Sequence, residues 1–275
     1  MSIQDFKSRF VFDSGKVGHI GVEREYFLIN SERNIVPRAN AAIDYIRSEG
    51  WPIELSFNDK RYLDPGTTIG YELSNAQIEL RTRPHPSPVS LRSELEWNDR
   101  CLTHSLKEIG LSTLHTEVGP EDMPLDVYPD PTGRYQKITE NMPRSILLAA
   151  CRVIGTHVHI GMRDHESALR TYNYVIRHIA ELCELGNGSF GERLAIYRQM
   201  APGYEPRPYS SWEHFYEVAL AEGFSEDPRK CWTLVRMSVH GTIEFRLFGA
   251  TDSIDRIMRW SERCHELCQE ALVIA

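Results

Sequence analysis

The stretch GTHVHIGM, from Gly155 to Met162, places two histidines two residues apart in an otherwise apolar run. Because successive side chains of a β-strand point to opposite faces, a strand here puts His157 and His159 on one face. Val158 then takes the opposite face with its apolar neighbours. Histidine pairs of this kind occur both as exposed or hydrogen-bonded side chains and as ligands, so the pair alone leaves both interpretations open.

Two other segments present ionisable residues at the same spacing. Glu23 and Glu25 alternate in GVEREY, and Glu244 and Arg246 alternate in GTIEFRLF. Each pair would share one face of a strand. Taken singly, such a pair is more typical of a solvent-exposed face than of a functional site.

A third acidic pair predicts an irregularity in the sheet. In YELSNAQIEL, Glu72 and Glu79 are seven residues apart, an odd separation that places them on opposite faces of an unbroken strand. We therefore predict a break or bulge at residues 74–76, which would turn both carboxylates to one face. Residues 67–83 are accordingly expected to form two short strands.

Together these strands would carry five glutamates and two histidines among apolar neighbours. Burying so much negative charge is costly unless cations compensate it. Carboxylate oxygens select hard ions such as Mg²⁺ or Mn²⁺, and Mg²⁺ sites commonly include substrate phosphates. A nucleoside triphosphate is therefore the expected partner, although the sequence has no GxxxxGKS or GxxxxGKT motif. Its GxGxxG match at Gly186–Gly191 follows a helix and not a strand.

The remaining patterns predict an α+β fold with a largely antiparallel sheet, in one catalytic domain over residues 1–275. Alternating and β-branched residues predict the strands, and apolar residues three or four apart predict the helices. The predicted strands cover 18–30, 67–83, 111–118 and 155–162, with a hairpin over 231–249 that turns near His240 and Gly241. The predicted helices cover 89–109, 134–141, 164–186, 210–223 and 253–274, and the predicted long loops are 119–133 and 187–210.

Composition disfavours several classes of protein. The formal net charge is -8, and no run of Lys and Arg is long enough to follow a phosphate backbone, which disfavours nucleic-acid binding. No stretch approaches the roughly 20 apolar residues of a membrane span, and the first ten residues lack a signal-peptide apolar segment, so we expect a cytoplasmic protein. The six cysteines are expected to be reduced and to pack as small apolar side chains, with a metal at Cys264 and Cys268 as the alternative.

Five segments, in this order, resemble the signature segments of the bacterial glutamate-cysteine ligase type 2 family, the carboxylate-amine ligases of the glutamine synthetase-like superfamily. They are GVEREY, ELSNAQIELRT, GRYQKITEN, GTHVHIGM and HGTIEFRLF, and the resemblance spans residues 18–250. It implies a curved antiparallel sheet with helices packed on its outer face. It also implies Mg²⁺ or Mn²⁺ as the cofactor and ATP as a co-substrate, and a homo-oligomer is compatible with the sequence.

The resemblance also implies a metal ligand set for each of two ions. The ligands of one Mg²⁺ would be Glu25, Glu72 and Glu79. The ligands of a second ion, which bridges the ATP phosphates, would be Glu23, His157 and Glu244.

Further residues would act on the nucleotide and the substrate. The resemblance implies that His159 donates a hydrogen bond to a phosphate and that Arg246 neutralises charge on the transferred γ-phosphoryl group. Arg236 would contact phosphate or substrate. Additional nucleotide- or substrate-binding residues would be Arg134, Tyr135 and Arg198.

The implied reaction is ATP-dependent formation of an amide, of the γ-glutamyl type, from small-molecule carboxylate and amine substrates. The carboxylate attacks the γ-phosphoryl group to give an acyl phosphate, and the amine then displaces phosphate. The family carries an additional helical C-terminal region, and the segment YEPRPYSSW departs from its pattern, so we expect an acceptor other than cysteine. The alternatives are a phosphotransferase or isopeptide hydrolase at the same two-metal site, and a non-catalytic domain that holds a structural metal such as zinc.

Overall fold

In a computed structural model of the protein, which describes residues 2–49 and 69–273, helices pack against one seven-stranded sheet. The strands are Ile20–Ile29 (β1), Ile69–Tyr71 (β2), Gln77–Arg81 (β3), Ser112–Leu114 (β4), Gly155–Gly161 (β5), Val235–Met237 (β6) and Thr242–Gly249 (β7). Their order is β2-β3-β1-β5-β7-β6, with β4 paired to the end of β1. Every pairing among these described strands is antiparallel.

Long helices cover one face of the sheet, and shorter helices lie over the other. The helices are Ile3–Lys7 (α1), Ala39–Glu49 (α2), Pro88–Glu108 (α3), Arg134–Thr139 (α4), Arg144–Arg152 (α5), His165–Val175 (α6), Ile179–Gly186 (α7), Glu192–Met200 (α8), Trp212–Ala221 (α9) and Ile254–Val273 (α10). Among them, α2, α3, α6, α7 and α10 contact strands of the sheet, and α10 also packs on α3 and α6. In the stretches 2–49 and 69–273, no helix is both long and apolar enough to cross a membrane.

The strands at the centre of the sheet turn alternate side chains into the core. Val22 of β1 and both Val158 and Ile160 of β5 are buried in one apolar cluster with Leu95 of α3 and Ile257 of α10. The opposite face of the same strands carries the ionisable residues that the alternation predicted. The predicted α+β architecture, an antiparallel sheet with helices on its outer face, is confirmed.

The predicted interruption near residue 75 is confirmed. β2 ends at Tyr71 and β3 begins at Gln77, and the two strands pair with each other as a hairpin. In the connecting turn, the Ser74 hydroxyl accepts a hydrogen bond from the backbone N–H of Ala76 at 3.1 Å. Short polar side chains that bond to nearby backbone in this way compete with strand pairing, which is why the strand stops here.

The predicted hairpin over 231–249 is also confirmed. β6 and β7 form the hairpin, and Gly241 at its turn has a φ of 69°. A Cβ atom at Gly241 would lie 2.3 Å from the Val11 carbonyl oxygen, so only glycine fits there. Ser211 caps α9, because its hydroxyl accepts a hydrogen bond from the backbone N–H of His214 at 3.2 Å.

Two predicted segments are wrong in detail. The expected single helix over 164–186 is interrupted by a 3₁₀ turn at Ile176–His178, where His178 leaves helical geometry with φ −100° and ψ 12°. The predicted loop 187–210 contains α8, which follows Gly191 in the left-handed region at φ 90°. Glycines before α8 and prolines after it gave this segment a loop-like composition. The helices α1, α2 and α5 were not predicted either.

The cysteines behave as the sequence predicted. All six are free thiols. Cys264 and Cys268 are completely buried on α10, where they belong to the main apolar cluster. Burial raises the pKa of both thiols above the ordinary range, which disfavours the thiolate that a metal would require.

Candidate active site

Antiparallel pairing brings carboxylates from three strand segments together on the face opposite the long helices. Glu23 of β1 pairs with His157 of β5, and Glu25 of β1 pairs with Glu79 of β3. Glu72 reaches the same place from the turn between β2 and β3. One carboxylate oxygen each from Glu25, Glu72 and Glu79 lie within 4.8 Å of one another. These three residues form what we call the carboxylate cluster, and they are one of the ligand sets that the family resemblance implied.

A second group forms where β5 pairs with β7. His159 lies opposite Glu244, and Glu23 of β1 completes a set whose ligand atoms lie within 4.8 Å of one another. The resemblance had grouped Glu23 and Glu244 with His157. In the structure, a register shift between Thr156 and Val158 leaves His159, and not His157, beside Glu244. Both imidazoles nevertheless stay close to Glu23, with nitrogen-oxygen distances of 3.1 Å for His157 and 3.5 Å for His159.

The carboxylate cluster is electrostatically crowded. Burial, together with the negative charges of Glu79 and Glu25, raises the pKa of Glu72 well above the ordinary range. Burial and the charge of Glu23 raise the pKa of Glu79 to about 8, although Arg81 is hydrogen-bonded to it. Like charges held together in a buried site favour protonation unless a cation compensates them. The oxygen-rich donor set therefore fits a divalent hard ion such as Mg²⁺.

Two arginines hold Glu244 in its ionised form. Arg236 binds it with two hydrogen bonds, of 2.7 and 2.9 Å, and Arg246 donates a third at 2.6 Å. Burial alone would raise the pKa of Glu244, but the charges of Arg236 and His159 outweigh burial and hold this pKa well below the ordinary range. Arg246 lies over the ring of Trp232, with 5.9 Å from the guanidinium carbon to the ring centroid.

The two histidines of β5 have different environments. Burial and the nearby charge of Arg246 lower the pKa of His157, which favours the neutral imidazole that binds metals. Burial would also lower the pKa of His159, but the charges of Glu23 and Glu244 outweigh it and raise this pKa. His159 Nδ1 lies 2.9 Å from the Thr242 hydroxyl, whereas its buried Nε2 makes no hydrogen bond. Nε2 lies 3.5 Å from a carboxylate oxygen of Glu23, which is the charge closest to it.

These side chains line one cavity of about 400 Å³. Its lining includes eleven of the twelve predicted site residues: Glu23, Glu25, Glu72, Glu79, Arg134, Tyr135, His157, His159, Arg236, Glu244 and Arg246. Tyr135 of α4 contacts Tyr71 of β2, with 5.8 Å between the ring centroids. A second cavity, of about 620 Å³, shares Glu23, Glu79, His159 and His240 with the first, so the ionisable residues are accessible from two sides.

Arg198 does not line the cavity. Its side chain is 62% exposed and pairs with Glu205 at 3.1 Å. The reason is its position on α8, where Tyr197 and Met200 line the cavity and its extension while Arg198 projects from another side of the helix. The structure therefore does not support the expected contact of Arg198 with nucleotide or substrate.

Arg193, which was not predicted, supports the site from the same helix. It is buried and donates hydrogen bonds to the carbonyl oxygens of Ile154 at 2.8 Å, Leu247 at 3.2 Å and Arg246 at 3.2 Å. Gly155 leaves room for it, since a Cβ atom there would lie 2.2 Å from the guanidinium. Arg193 thus joins the start of β5 to the part of β7 that carries Arg246. The available sequence signal was its position four residues before Tyr197, which places the two side chains on the same face of a helix.

The other unpredicted residues of the cavity are mainly apolar. They include Leu73, Ile138, Met142, Ile146, Ala150, Met200 and Trp232. Partly buried apolar residues on short helices have the same sequence pattern as core residues, so the sequence does not distinguish them. The cavity consequently has a charged floor and an apolar wall.

The family model described as "Glutamate-cysteine ligase family 2(GCS2)" matches residues 19–186, more than half of the chain. The chain belongs to glutamate-cysteine ligase family 2. The match includes the carboxylate cluster and both histidines of β5.

Relatives in this family align with most of the length of this chain. "Putative glutamate--cysteine ligase 2" of Bradyrhizobium sp. (strain BTAi1 / ATCC BAA-1182) is 24% identical over 275 residues, covering 93% of this chain and 64% of that protein. "Putative glutamate--cysteine ligase 2-3" of Rubrobacter xylanophilus is 27% identical over 270 residues, covering 92% of this chain and 69% of that protein. The chain thus spans about two thirds of the length of these family members.

A solved structure shares the fold. The bifunctional glutathione synthetase of Pasteurella multocida superposes with a TM-score of 0.60 at 15% sequence identity. The superposition covers 98% of this chain and 39% of that protein. At this identity, the similarity establishes the architecture of this family member.

Proposed function

We propose that this protein is an ATP- and Mg²⁺-dependent ligase that joins a small-molecule carboxylate to an amine. The observation that carries the proposal is the carboxylate cluster of Glu25, Glu72 and Glu79 in the cavity, within a chain of the glutamate-cysteine ligase family. Three carboxylates with oxygens this close, of which Glu79 is buried and the other two are partly buried, match the oxygen ligands that Mg²⁺ prefers. The three negative charges repel one another, and a bound cation would offset that repulsion.

Two ligand sets are proposed for two ions. The carboxylate cluster would hold the first ion. Glu23 and Glu244 would hold the second together with an imidazole, either His157, as the resemblance implies, or His159, which the register brings nearer to Glu244. When bound, such ions neutralise negative charge on a nucleotide's phosphates and on the phosphoryl group being transferred.

The positively charged side chains around Glu244 are assigned to binding the nucleotide. Arg246 would contact the transferred γ-phosphoryl group, because its Nε is buried without a hydrogen bond while Nη1 is held by Glu244. Arg236 orients Glu244 and would contribute further positive charge. Where His157 is the ligand of the second ion, His159 would donate from Nε2 to a phosphate oxygen. Positive groups fixed in advance around developing negative charge are the main source of catalysis in phosphoryl transfer.

The proposed reaction has two steps. A carboxylate oxygen attacks the γ-phosphorus of ATP, so that an acyl phosphate forms and ADP leaves. The neutral amine nitrogen then attacks the acyl carbon, the amide bond forms as the nitrogen loses a proton, and inorganic phosphate leaves with the electron pair of the broken carbon-oxygen bond and takes up that proton. By resemblance to the family, the carboxylate would belong to glutamate or another amino acid, and Arg134 and Tyr135 would lie on its side of the cavity.

Release of ADP tests this function. Purified protein with ATP and Mg²⁺ is screened against pairs of amino acids and amines, and release is expected only when both a carboxylate and an amine are present. Glu25→Gln should lower the rate on the order of 10³-fold or more, because a lost metal ligand raises the barrier by several kcal/mol. Glu217→Gln, at an exposed position on α9, is the matched control. Undiminished turnover by Glu25→Gln would contradict the metal assignment, and release without an amine would favour a phosphotransferase or hydrolase.

A further inference from the structure

Arg193 is buried beside the carboxylate cluster, yet it bonds to the backbone. It lines a small extension of the main cavity, of about 60 Å³, together with Glu25. Its side chain is 3% exposed, and the partners of its three hydrogen bonds are all backbone carbonyl oxygens. Arginine is rarely buried to this extent without a carboxylate partner, because burying its charge is costly. The position of this guanidinium therefore indicates a specific role.

One bond of Arg193 and one bond of Glu25 belong to the same peptide group. Arg193 Nε donates to the carbonyl oxygen of Ile154 at 2.8 Å. The N–H of the next residue, Gly155, donates to Oε2 of Glu25 at 2.6 Å. The C=O and the N–H of a peptide group lie in one rigid plane. Orienting this carbonyl group therefore also orients the N–H group and, through it, the carboxylate of Glu25.

Contacts on two sides hold the guanidinium of Arg193 in place. The carbonyl oxygens of Leu247 and Arg246 accept hydrogen bonds from Nη1 and Nη2, each at 3.2 Å, so the guanidinium is tied to β7. Gly155 fits closely against it, because a Cβ atom at this position would lie 2.2 Å from Nη2. Glycine at the start of β5 thus allows the guanidinium to reach the Ile154 carbonyl group.

We propose that Arg193 is a positioning residue for Glu25, acting through the peptide group between Ile154 and Gly155. The proposal rests on the function proposed above, in which Glu25 is a metal ligand of the carboxylate cluster. Groups that hydrogen-bond to a metal ligand fix the direction of its donor atoms, and their loss typically weakens metal binding about 10- to 100-fold. Arg193 thus affects the affinity for the ion without being a ligand.

Electrostatics alone predicts the opposite effect of removing Arg193. Its positive charge lies near Glu25 and would repel a bound divalent cation, so loss of the charge should tighten metal binding. A positioning role predicts weaker binding instead. Arg193→Lys separates the two explanations, because lysine keeps the charge but lacks the rigid fork of donors that reaches three carbonyl oxygens.

Binding of Mn²⁺ without nucleotide is the direct test. Electron paramagnetic resonance measures free Mn²⁺ during a titration. Arg193→Lys and Gly155→Ala should each raise the Kd about 10- to 100-fold, the first by removing the fork and the second by displacing it. A wild-type Kd in Arg193→Lys, or a lower one, would overturn the proposal.

Two control variants accompany the titration. Gly203→Ala is the matched control for the glycine, since a Cβ atom there would meet no atom of the described residues within 4 Å. Leu169→Ala on α6, a buried position outside both cavities, is the control for lost stability. Both should keep the wild-type Kd, and thermal unfolding confirms that each variant is folded at the temperature of the titration.

A double variant tests whether the effect passes through Glu25. Glu25→Gln keeps one oxygen donor at this position and should itself weaken Mn²⁺ binding. If Arg193 acts through this carboxylate, adding Arg193→Lys to Glu25→Gln should cause no further loss, because effects that share one route are not additive. Any further loss larger than the error of the titration would overturn the proposed route.

The amide proton of Gly155 provides a measurement that needs no metal. In the metal-free protein, its short hydrogen bond to the Glu25 carboxylate should shift the proton NMR signal downfield. Both Arg193→Lys and Glu25→Gln should move this signal upfield. A merely structural role of Arg193 would lower stability and leave the signal in place, so an unchanged signal in Arg193→Lys would overturn the proposal.

Failure of the positioning role is distinguishable from failure of the metal assignment. If Glu25→Gln weakens Mn²⁺ binding and Arg193→Lys does not, the metal assignment is supported and the positioning role is overturned. If wild type binds no Mn²⁺, or Glu25→Gln leaves the Kd unchanged, the metal assignment is contradicted. The Gly155 signal then still decides whether Arg193 orients the Glu25 carboxylate.

Discussion

His157 and His159 occupy equivalent positions in the alternation of β5, yet the structure gives them opposite electrostatic surroundings. Burial and Arg246 favour the neutral form of His157, whereas Glu23 and Glu244 favour the protonated form of His159. A neutral imidazole is suited to a metal and a protonated one to a phosphate. These surroundings agree with the division of roles that the family resemblance implied, in which His157 binds metal and His159 donates to a phosphate.

The two imidazoles are expected to titrate in a fixed order. In the metal-free protein, the pKa of His157 should lie below the ordinary value of about 6.5, and that of His159 above it. Proton NMR of the imidazole signals between pH 5 and pH 9 measures both, and His157→Gln assigns them by the signal that disappears. Titration of His157 at a higher pH than His159 would contradict the described surroundings.

Glu79 should make the metal-free protein less stable as pH rises. Its folded-state pKa of about 8 exceeds the ordinary value of 4.5, so the folded state holds a proton that the unfolded state has lost between these pH values. The free energy of unfolding therefore falls as pH rises through this range and levels off above pH 8. Urea unfolding at pH 6 and pH 8.5 without metal should show a smaller fall for Glu79→Gln than for wild type. Equal falls would contradict the raised pKa, and Glu217→Gln is the matched control.

At this scale, the sequence identified the ionisable residues well because the two-residue period of a strand assigns each side chain to a face. The hydrogen-bond and ion-pair partners of Glu244 were harder to predict from the sequence. They depend on the register shift between Thr156 and Val158, which arises from packing between strands and has no local sequence signal.

Among the elements, α8 shows how much of the site depends on a helix that the sequence did not reveal. Arg193 extends from this helix to three carbonyl oxygens on two segments of the sheet region. Its burial lowers the pKa of the guanidinium, although the nearby charge of Glu25 partly offsets the effect. Arg193 therefore fixes the backbone at Arg246 while its own charge lies close to the carboxylates.

Replacing Arg193 should destabilise the protein. Arg193→Met leaves buried carbonyl oxygens without donors, and each unsatisfied group costs about 1–3 kcal/mol, so a loss of about 3 kcal/mol or more is expected in the free energy of unfolding. Arg198→Met, on the exposed side of the same helix, should change stability by only about 0.5 kcal/mol. Urea unfolding measures both. Similar losses for the two variants would contradict the supporting role of Arg193.

The predicted elements differ in accuracy for identifiable reasons. The long amphipathic helices α3 and α10 have apolar residues at regular spacing over about twenty positions, and both were predicted. α8 has only nine residues, is flanked by glycines and prolines, and mixes polar and apolar residues around its surface. Ile138 and Ile146 lie on two short helices, and only the tertiary structure shows that they line the cavity.

Across the whole molecule, binding of Mg²⁺ should be coupled to stability and to pH. A ligand that binds only the folded state adds about 2.7 kcal/mol at 100 times its Kd, which corresponds to a rise in Tm of about 5 °C for a protein of this size. The rise should be larger at pH 8.5 than at pH 6, because Glu79 and Glu72 must lose their protons before they bind metal. Thermal unfolding with and without Mg²⁺ at matched ionic strength measures the effect. Equal rises at both pH values would contradict a metal bound by the carboxylate cluster.

Glu23 and Glu244 both lie beside His159, and this has a consequence for folding. These residues come from the first and the last strand of the sheet in chain order, and β5 between them is paired on both sides. Contacts between residues so distant along the chain form slowly. The chain loses entropy when the long loop closes, and the favourable contacts form only after that loss. The complete site can therefore arise only after the sheet has closed. The set formed by Glu23, His159 and Glu244 would accordingly be incomplete in a newly made or partly unfolded chain until folding is almost finished.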